Sequence, residues 1–102
     1  IFVNTGDQYV RLSLTEVLYL ESDGNYVRIH MEGGTRHLVR LTLKRAGEVL
    51  PPQSFVRVHR SYMLRIDQID NVVDWSAVVD GDVIPVSESY REALMDVLPT
   101  LD

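Results

Sequence analysis

The chain has no cysteine, no start methionine and no long apolar run among its 102 residues. Without cysteine it cannot form a disulfide framework, a zinc knuckle or a thiol nucleophile. Because no stretch approaches about eighteen consecutive apolar residues, and no basic, then apolar leader opens the sequence, we expect no membrane-crossing segment here. The first residue, Ile1, suggests a piece of a longer protein, and 45% apolar residues are enough for one modest globular domain.

Signals for catalysis and for bound cofactors are also missing. The three histidines, His30, His37 and His59, lack the spacing of metal ligands, and no glycine-rich loop follows a strand to hold a nucleotide. His59, Ser61 and an aspartate could be drawn as a catalytic triad. However, residues separated by a single position share one strand face, and nothing nearby suggests an oxyanion hole. We therefore expect no enzyme activity, no metal and no cofactor.

The net charge of −5 is distributed unevenly along the chain. Residues 1–35 carry a net −3, residues 36–65 carry seven cations against one acid, and residues 66–102 carry a net −8. A basic block inside an acidic chain produces the kind of local field that binds phosphate, so nucleic acid is a candidate ligand. The alternative is that these arginines simply pair with acids across the fold.

The octapeptide 55–62, Phe-Val-Arg-Val-His-Arg-Ser-Tyr, places two arginines, a histidine and two hydroxyl groups of the basic block in one short stretch. In one extended strand, alternate side chains share a face, so Arg57, His59 and Ser61 would point one way and Arg60 the other. Neither face would be purely apolar. Such a strand is better suited to present donors to an anion than to fill a core, and the commonest extended anion is a nucleic acid backbone.

Alternating apolar residues and turn signals predict a mainly β domain without linkers or repeats. Thr42 can cap one short internal helix that Pro51 stops, and Ser87 or Ser89 can cap a last helix that continues through Leu98. The internal helix is predicted at 42–50 and the strands at 9–14, 17–22, 26–31, 35–40, 55–57, 62–66, 69–75, 77–79 and 83–86.

The order of these motifs resembles that of the LytTR DNA-binding domains, output modules of many bacterial transcription regulators. The resemblance covers nearly all of the chain. It rests on residues 17–22 with Gly24-Asn25-Tyr26-Val27, the internal helix, the octapeptide, residues 66–69, and Ile84-Pro85-Val86-Ser87 before Tyr90. It implies a mainly β fold, an elongated stack of small antiparallel β-sheets with one short internal helix and a C-terminal helix. Residues 1–102 would be one such domain, the C-terminal part of a longer protein.

The resemblance also implies a function, that of a cytoplasmic, sequence-specific binder of double-stranded DNA. Loops would enter successive major grooves of a direct-repeat site and bend the DNA, with two copies as a possible homodimer on it. An upstream receiver domain, or a sensor domain, would supply regulation. The runner-up is the same fold serving as a protein-interaction or regulatory module with weak or no DNA affinity. Steep salt dependence of binding would separate the two functions.

Three stretches carry the base contacts that the resemblance implies. In the first, Asn25-Tyr26, the Asn25 amide can read a base edge; alternatively Asn25 simply takes a left-handed turn conformation after Gly24. In the second, the octapeptide, Arg60 and Ser61 are expected at the DNA. Arg60 can form a bidentate pair with guanine.

Other residues of the basic block are expected near phosphates. Arg57 is the candidate phosphate contact in the octapeptide, while His59 either contacts a base or hydrogen-bonds within the fold and orients the loop. Thr42 and Lys44, at the start of the internal helix, are expected to position a phosphate. The simpler interpretation is helix capping by Thr42 and a solvated Lys44, and both can hold together.

The third stretch is Ser87-Glu88-Ser89, and Arg91 on the last helix is a further DNA-binding candidate. Many members of the family carry an arginine at the position of Glu88, whereas a carboxylate is repelled by phosphates. Glu88 can accept from a cytosine amino group, or it can turn away and cap the last helix, which the helix dipole favours by roughly 0.3 to 1 kcal/mol. The third interpretation is that this loop does not touch DNA.

The remaining apolar residues are interpreted as core. Trp75 is either packed among the neighbouring valines or an exposed interface anchor, and packing is the commoner outcome. The expected core consists of Leu18, Leu20, Val27, Ile29, Leu41, Leu43, Leu50, Phe55, Val58, Ile66, Ile69, Val86 and Leu94.

Overall fold

A computed structural model describes residues 1–101 and is mainly β, with one short internal helix and a C-terminal helix. Within these residues no helix is long and apolar enough to cross a membrane. The helices are α1 (Leu43–Val49) and α2 (Arg91–Val97), and the strands are β1 (Phe2–Asn4), β2 (Tyr9–Arg11), β3 (Val17–Asp23), β4 (Tyr26–Met31), β5 (Arg36–Val39), β6 (Phe55–His59), β7 (Tyr62–Arg65), β8 (Asn71–Val73), β9 (Ser76–Val79) and β10 (Asp82–Pro85).

These strands form three antiparallel sheets, which confirms the predicted stack. The largest sheet has five strands in the order β5-β4-β3-β7-β6, a second has the order β10-β9-β8, and β1 pairs with β2. In the five-stranded sheet β3 pairs with β7, with Glu21 opposite Tyr62. The domain is elongated, with extents of 47 by 25 by 22 Å.

Both faces of the five-stranded sheet are buried at β3, β7 and β6, because successive strand residues point to opposite sides and both sides carry apolar residues there, whereas β4 and β5 contribute to one core only. Leu20 and Met63 belong to a first core that the sheet shares with α1 and the β1–β2 hairpin. Val58 and Leu64 belong to a second core that the sheet shares with β8 to β10 and α2. The sheet is thus held between two layers, while the turns at its ends stay accessible.

The octapeptide is a hairpin, which confirms the separate strands predicted at 55–57 and 62–66 and shows that the one extended strand used to assign faces is wrong. β6 ends at His59, Arg60 and Ser61 form the turn, and β7 begins at Tyr62. The expected alternation of faces is therefore wrong from Arg60 onward, because the chain reverses there. A register shift between Arg57 and His59 also interrupts the alternation before the turn.

The first of the expected DNA-contacting turns joins β3 to β4 through residues 24–25. Gly24 has a φ of +61°, whereas Asn25 is not among the residues with positive φ. The left-handed conformation suggested for Asn25 is therefore wrong. Glycine at the first central position is the pattern of a type II′ hairpin turn, which suits the twist of the flanking strands.

The internal helix α1 begins where the sequence predicts, whereas the C-terminal helix α2 begins later than predicted. The Thr42 hydroxyl caps α1 by accepting a hydrogen bond from the Arg45 backbone N–H at 3.0 Å, which confirms the predicted cap. The last helix opens as a 3₁₀ turn, Glu88–Tyr90, and becomes α-helical only at Arg91. The Ser87 side chain makes no capping hydrogen bond. Ser89 is not the cap either, because the N-cap residue of α2 is Tyr90, so the predicted cap by Ser87 or Ser89 is wrong.

Further differences lie in the second half and at the start of the chain. The predicted strand 69–75 is only β8, because Asp74 and Trp75 both have positive φ, +50° and +56°, and turn the chain into β9. β1 was not predicted, and the strand predicted at 9–14 is only β2. The expected core is buried except for Leu41, Ile66 and Ile69, which are half-buried, and Trp75 packs half-buried on the second core.

The second core is tested by truncating Leu64, which is fully buried there. We expect Leu64→Ala to lower the free energy of unfolding by about 2–5 kcal/mol, because it leaves a cavity between two layers. Val83→Ala is the matched control, since Val83 is 67% exposed on β10. Urea denaturation at neutral pH measures both. Equal losses in the two variants would contradict the placement of Leu64.

Candidate nucleic-acid interface

Two of the expected DNA-contacting turns lie side by side at one end of the five-stranded sheet. Residues 24–25 join β3 to β4 there, and residues 60–61 join β6 to β7. Glu21 near the end of β3 is paired with Tyr62 at the start of β7. The turn that follows β3 and the turn that precedes β7 therefore lie next to each other. We call this edge the turn end of the sheet.

Backbone hydrogen bonds join all three expected stretches. The Ser22 N–H, just before the first turn, donates to the Ser61 carbonyl in the second at 2.9 Å. The Ser87 N–H, which opens the third stretch, donates to the Val58 carbonyl on β6, also at 2.9 Å. Stretches that are far apart in sequence therefore form one continuous surface.

Side chains of the octapeptide itself hydrogen-bond the backbone of its turn. The His59 Nδ1 accepts a hydrogen bond from the Ser61 N–H at 3.0 Å, so the neutral ring carries its proton on Nε2. Arg57 donates from Nη2 to the Arg60 carbonyl at 2.7 Å and from Nε to the His59 carbonyl at 3.3 Å. One of the two roles expected for His59, orientation of the loop, is thus present. A phosphate contact by Arg57 stays a prediction.

The third stretch reaches the same hairpin through Tyr90. The guanidinium carbon of Arg57 lies 5.8 Å from the centroid of the Tyr90 ring, within the range of a cation–π contact. Glu88 and Ser89 precede this ring and are exposed. In the described chain Glu88 makes no ion pair. The Glu88 carboxylate is therefore not neutralised by an ion pair within residues 1–101, and it lies two residues before the ring that contacts Arg57.

The cations of the basic block are divided between the two ends of the sheet. Arg36 opens β5 and Arg65 ends β7, both at the end opposite the turns. Arg65 is held there by Asp67, with Nε to Oδ1 at 2.8 Å, and by the Leu14 carbonyl. The acid that neutralises Arg65 is only two residues away, and within residues 1–101 no cation of the basic block pairs with an acid across the fold. The cations left toward the turn end are Arg40, Lys44, Arg45, Arg57 and Arg60.

Lys44 and Arg45 reach the turn end because α1 follows directly after β5. Lys44 is exposed and lines a groove with Arg57, between α1 and β6. Arg45 makes one exposed contact, with Glu48 at 3.8 Å, which is worth little in water. Thr42 uses its hydroxyl for the α1 cap. The simpler interpretation of Thr42 and Lys44 is therefore present, and a phosphate contact by either stays a prediction.

A polar cluster centred on Glu21 lies on β3, β4 and β7, the strands that the first two turns connect to the sheet. The carboxylate accepts from the Tyr62 hydroxyl at 3.2 Å and contacts His30 Nε2 at 3.0 Å and Arg28 Nη1 at 3.4 Å. Partial burial raises the pKa of Glu21, but the hydrogen bonds from His30 and Tyr62 and the charge of Arg28 outweigh it, so the pKa is lowered overall. The same geometry raises the pKa of Tyr62 through burial and the Glu21 charge.

Arg28 and Tyr19 extend this cluster in two directions. Arg28 also pairs with Asp23, which neutralises the acid next to the first turn. Tyr19 stacks on His30 with ring centroids 4.1 Å apart and donates to Asp82 at 2.9 Å. Burial and the Asp82 carboxylate raise the pKa of Tyr19. The cluster thereby ties the five-stranded sheet to β10.

Arg91 is placed differently from the other expected contacts. Its guanidinium carbon lies 5.0 Å from the centroid of the Trp75 ring, and its buried Nε has no hydrogen-bond partner within residues 1–101. The side chain is therefore engaged in packing between α2 and the β8–β9 turn. Its predicted role in DNA binding stays a prediction.

The residues that the sequence-based prediction missed are mostly those that hold the turns. Glu21, Tyr62 and Tyr90 were not candidates, because their roles come from strand pairing and layer packing that no local pattern reveals. Arg40 and Arg45 could have been found, since both belong to the basic block. Asn25, Arg60 and Ser89, which the resemblance indicated, are exposed, and their contacts with DNA stay a prediction.

The family model of the LytTr DNA-binding domain matches residues 7–99. The CO-responsive transcriptional regulator RcoM of Rhodospirillum rubrum is 32% identical over 92 residues, which cover 80% of this chain and 37% of that protein. The sensory transduction protein LytT of Bacillus subtilis is 26% identical over 102 residues, which cover 94% of this chain and 42% of that protein. The chain thus spans about two fifths of the length of these relatives.

A solved LytTr DNA-binding domain from Bacillus cereus superposes on the chain with a TM-score of 0.82. The two are 24% identical, and the match covers 98% of this chain and 96% of the other. At that identity the likeness shows a shared fold.

The Glu21 cluster predicts a specific pH dependence. The pKa of Glu21 is lowered from 4.5 in the folded domain, so its stabilising effect is complete above 4.5 and is lost as pH falls through the folded value. We expect Glu21→Gln to flatten the decrease in the free energy of unfolding below about pH 5. Urea denaturation at several pH values from 6 to 3 would measure it, with the exposed Glu16→Gln as control. Parallel pH profiles for wild type and Glu21→Gln would contradict the prediction.

Proposed function

The chain belongs to the LytTR family of DNA-binding domains, and from that premise we propose that it binds a specific sequence of double-stranded DNA through its turn end. The observation that carries the proposal is the joining of three accessible turns by two backbone hydrogen bonds. Recognition by a preformed surface avoids the cost of ordering loops on binding. The domain performs no chemistry in this proposal.

Arg60 and Ser61 are the proposed base-reading residues of the second turn. Arg60 is exposed, and its own carbonyl is held by Arg57, so the backbone that carries it is fixed while its side chain is accessible. An arginine in the major groove can pair with the O6 and N7 atoms of guanine. Asn25 in the first turn and Tyr26 at the start of β4, both exposed, are the proposed contacts in the neighbouring part of the groove.

Phosphate contacts are proposed for the exposed cations around α1. Arg40, Lys44 and Arg45 lie between the end of β5 and the first turn of α1. Lys44 lines a groove with Arg57 of the octapeptide, whereas Arg40 and Arg45 line a second groove with the β1–β2 hairpin. Contacts to phosphate set the register of a protein on the duplex, whereas contacts to base edges carry the specificity. Binding should therefore weaken steeply with salt, as counterions released from the DNA return.

The whole protein is proposed to be a bacterial transcription regulator of the cytoplasm. The support is that the relatives in which such domains occur are a transcriptional regulator and a sensory transduction protein, each longer than this chain. We propose that a receiver or sensor domain precedes the DNA-binding domain. Two copies on a direct-repeat site would then bind with higher effective concentration than one copy alone.

A protein-interaction module is the second candidate function, and one observation favours it. The outward side of the three-stranded sheet exposes Val73 by 60% and Val83 by 67%, with Asp74 and Asp80 nearby in the turns. Binding through such an apolar surface would change little between low and moderate salt, in contrast to binding of DNA.

Substitution of Arg60 tests the proposed function. We expect Arg60→Ala to weaken binding to a duplex selected from a random pool by about tenfold to a hundredfold, because a bidentate arginine–guanine pair is lost. Arg36→Ala, which removes the same charge at the opposite end of the sheet, should bind like wild type. Fluorescence anisotropy at two salt concentrations measures both. The proposal fails if wild type binds no duplex at low salt, or if both variants bind equally well.

Glu88 gives a second test at the same surface. We expect Glu88→Gln to strengthen binding about two- to fivefold at low salt and less at moderate salt, because an unpaired carboxylate near phosphates is removed. The measurement is a titration of the selected duplex and an unrelated duplex. A loss of affinity confined to the selected duplex would instead indicate that Glu88 accepts a hydrogen bond from a cytosine.

A further inference from the structure

We propose that Arg57 and Tyr90 act together as positioning residues that hold the octapeptide turn in its DNA-reading shape, with Arg60 and Ser61 as the groups that meet the DNA. The proposal rests on the proposed function of the turn end. It gives Arg57 a role inside the domain in place of a phosphate contact, and it assigns a role to Tyr90, which no sequence pattern indicated.

The directions of the Arg57 donors are the first support. Its Nη2 donates to the Arg60 carbonyl at 2.7 Å and its Nε to the His59 carbonyl at 3.3 Å. The planar guanidinium therefore spans the turn and holds two successive carbonyls. A lysine at this position would keep the charge but present a single ammonium, which cannot match both acceptors in this fork geometry.

The Tyr90 ring is the second support. It lies 5.8 Å from the Arg57 guanidinium carbon and restricts the plane in which the donors point. Tyr90 is itself fixed, because its N–H donates to the Ser87 carbonyl at 2.9 Å and the Ser87 N–H donates to Val58 at 2.9 Å. The ring thereby connects the third stretch to the second turn.

The remaining bonds of the turn complete the restraint. The Ser61 N–H is held by His59 Nδ1 at 3.0 Å, and the Ser61 carbonyl by the Ser22 N–H at 2.9 Å. The carbonyls of His59, Arg60 and Ser61 and the Ser61 N–H thus have partners inside the domain. The groups left to point outward are the side chains of Arg60, which is exposed, and Ser61, which is half-buried.

Charge and positioning make different predictions for substitutions of Arg57. If Arg57 neutralised a phosphate, Arg57→Lys would bind nearly as wild type, and Arg57→Gln would reduce the salt slope of log K by about 0.9. If Arg57 positions the turn, both substitutions weaken binding more than about tenfold, since charge-assisted hydrogen bonds are lost in each, and the salt slope does not change.

Tyr90 is tested with a conservative pair of substitutions. Tyr90→Phe keeps the ring and should match wild type, whereas Tyr90→Leu should weaken binding about two- to fivefold with an unchanged salt slope. Tyr9→Leu, at an exposed tyrosine on β2, is the control for general effects of losing a ring. DNA affinity is measured against a duplex selected by the wild-type domain from a random pool.

Amide hydrogen exchange in the DNA-free domain supplies a readout that does not depend on DNA binding. We expect the Ser61 amide to exchange faster in Arg57→Lys and Tyr90→Leu, and as wild type in Tyr90→Phe and Tyr9→Leu, while the Leu64 amide in the centre of the sheet stays protected. Unchanged exchange at Ser61 in Tyr90→Leu, or wild-type DNA affinity of Arg57→Lys, would overturn the inference. Faster exchange at Ser61 in a domain that binds no duplex would support the positioning role and refute the proposed function instead.

Discussion

The pairing of β3 with β7 is the contact on which the rest of the domain depends. It joins the strands β5, β4 and β3 to the β6–β7 hairpin. It also brings Glu21 and Tyr62, 41 residues apart in the sequence, into hydrogen-bonding distance. Without this pairing the two cores would have no common sheet to cover, and the turns of residues 24–25 and 60–61 would belong to separate units. The Ser22 to Ser61 bond simply continues the ladder by one step into the turns.

Local sequence patterns predicted the features that depend on neighbours in the chain. The α1 cap at Thr42, the glycine-containing turn after β3 and the mainly β character all follow from residue type and spacing, and all are present. The basic block was also visible as a count of charges. What the sequence could not reveal is where each cation points: Arg65 has an acid two residues away, Asp67, but its contact with the Leu14 carbonyl, 51 residues away, requires the folded chain.

The failures of the sequence-based prediction have physical causes of the same kind. The octapeptide has strand-forming residues on both sides of Arg60 and Ser61, and neither glycine nor asparagine marks the turn between them. The turn forms because Arg57 and His59 hydrogen-bond its backbone, so side chains supply what turn residues ordinarily supply. Likewise, Trp75 adopts a positive φ that a bulky residue disfavours, at a point where its carbonyl accepts from Val86 and its ring packs on the second core.

This arrangement separates the two tasks that a DNA-reading turn must combine. The backbone of the turn is fixed by partners inside the domain, so ordering it does not subtract from the binding free energy. In the proposed function the strongly acidic last third of the chain would limit attraction of the domain to phosphates in general, because its field opposes that of the turn end. A protein that relied on its total charge would bind all DNA alike. In the proposed function the affinity comes from the few groups at the turn end. A rigid turn with an accessible Arg60 would then raise specific binding relative to non-specific binding more than it raises affinity.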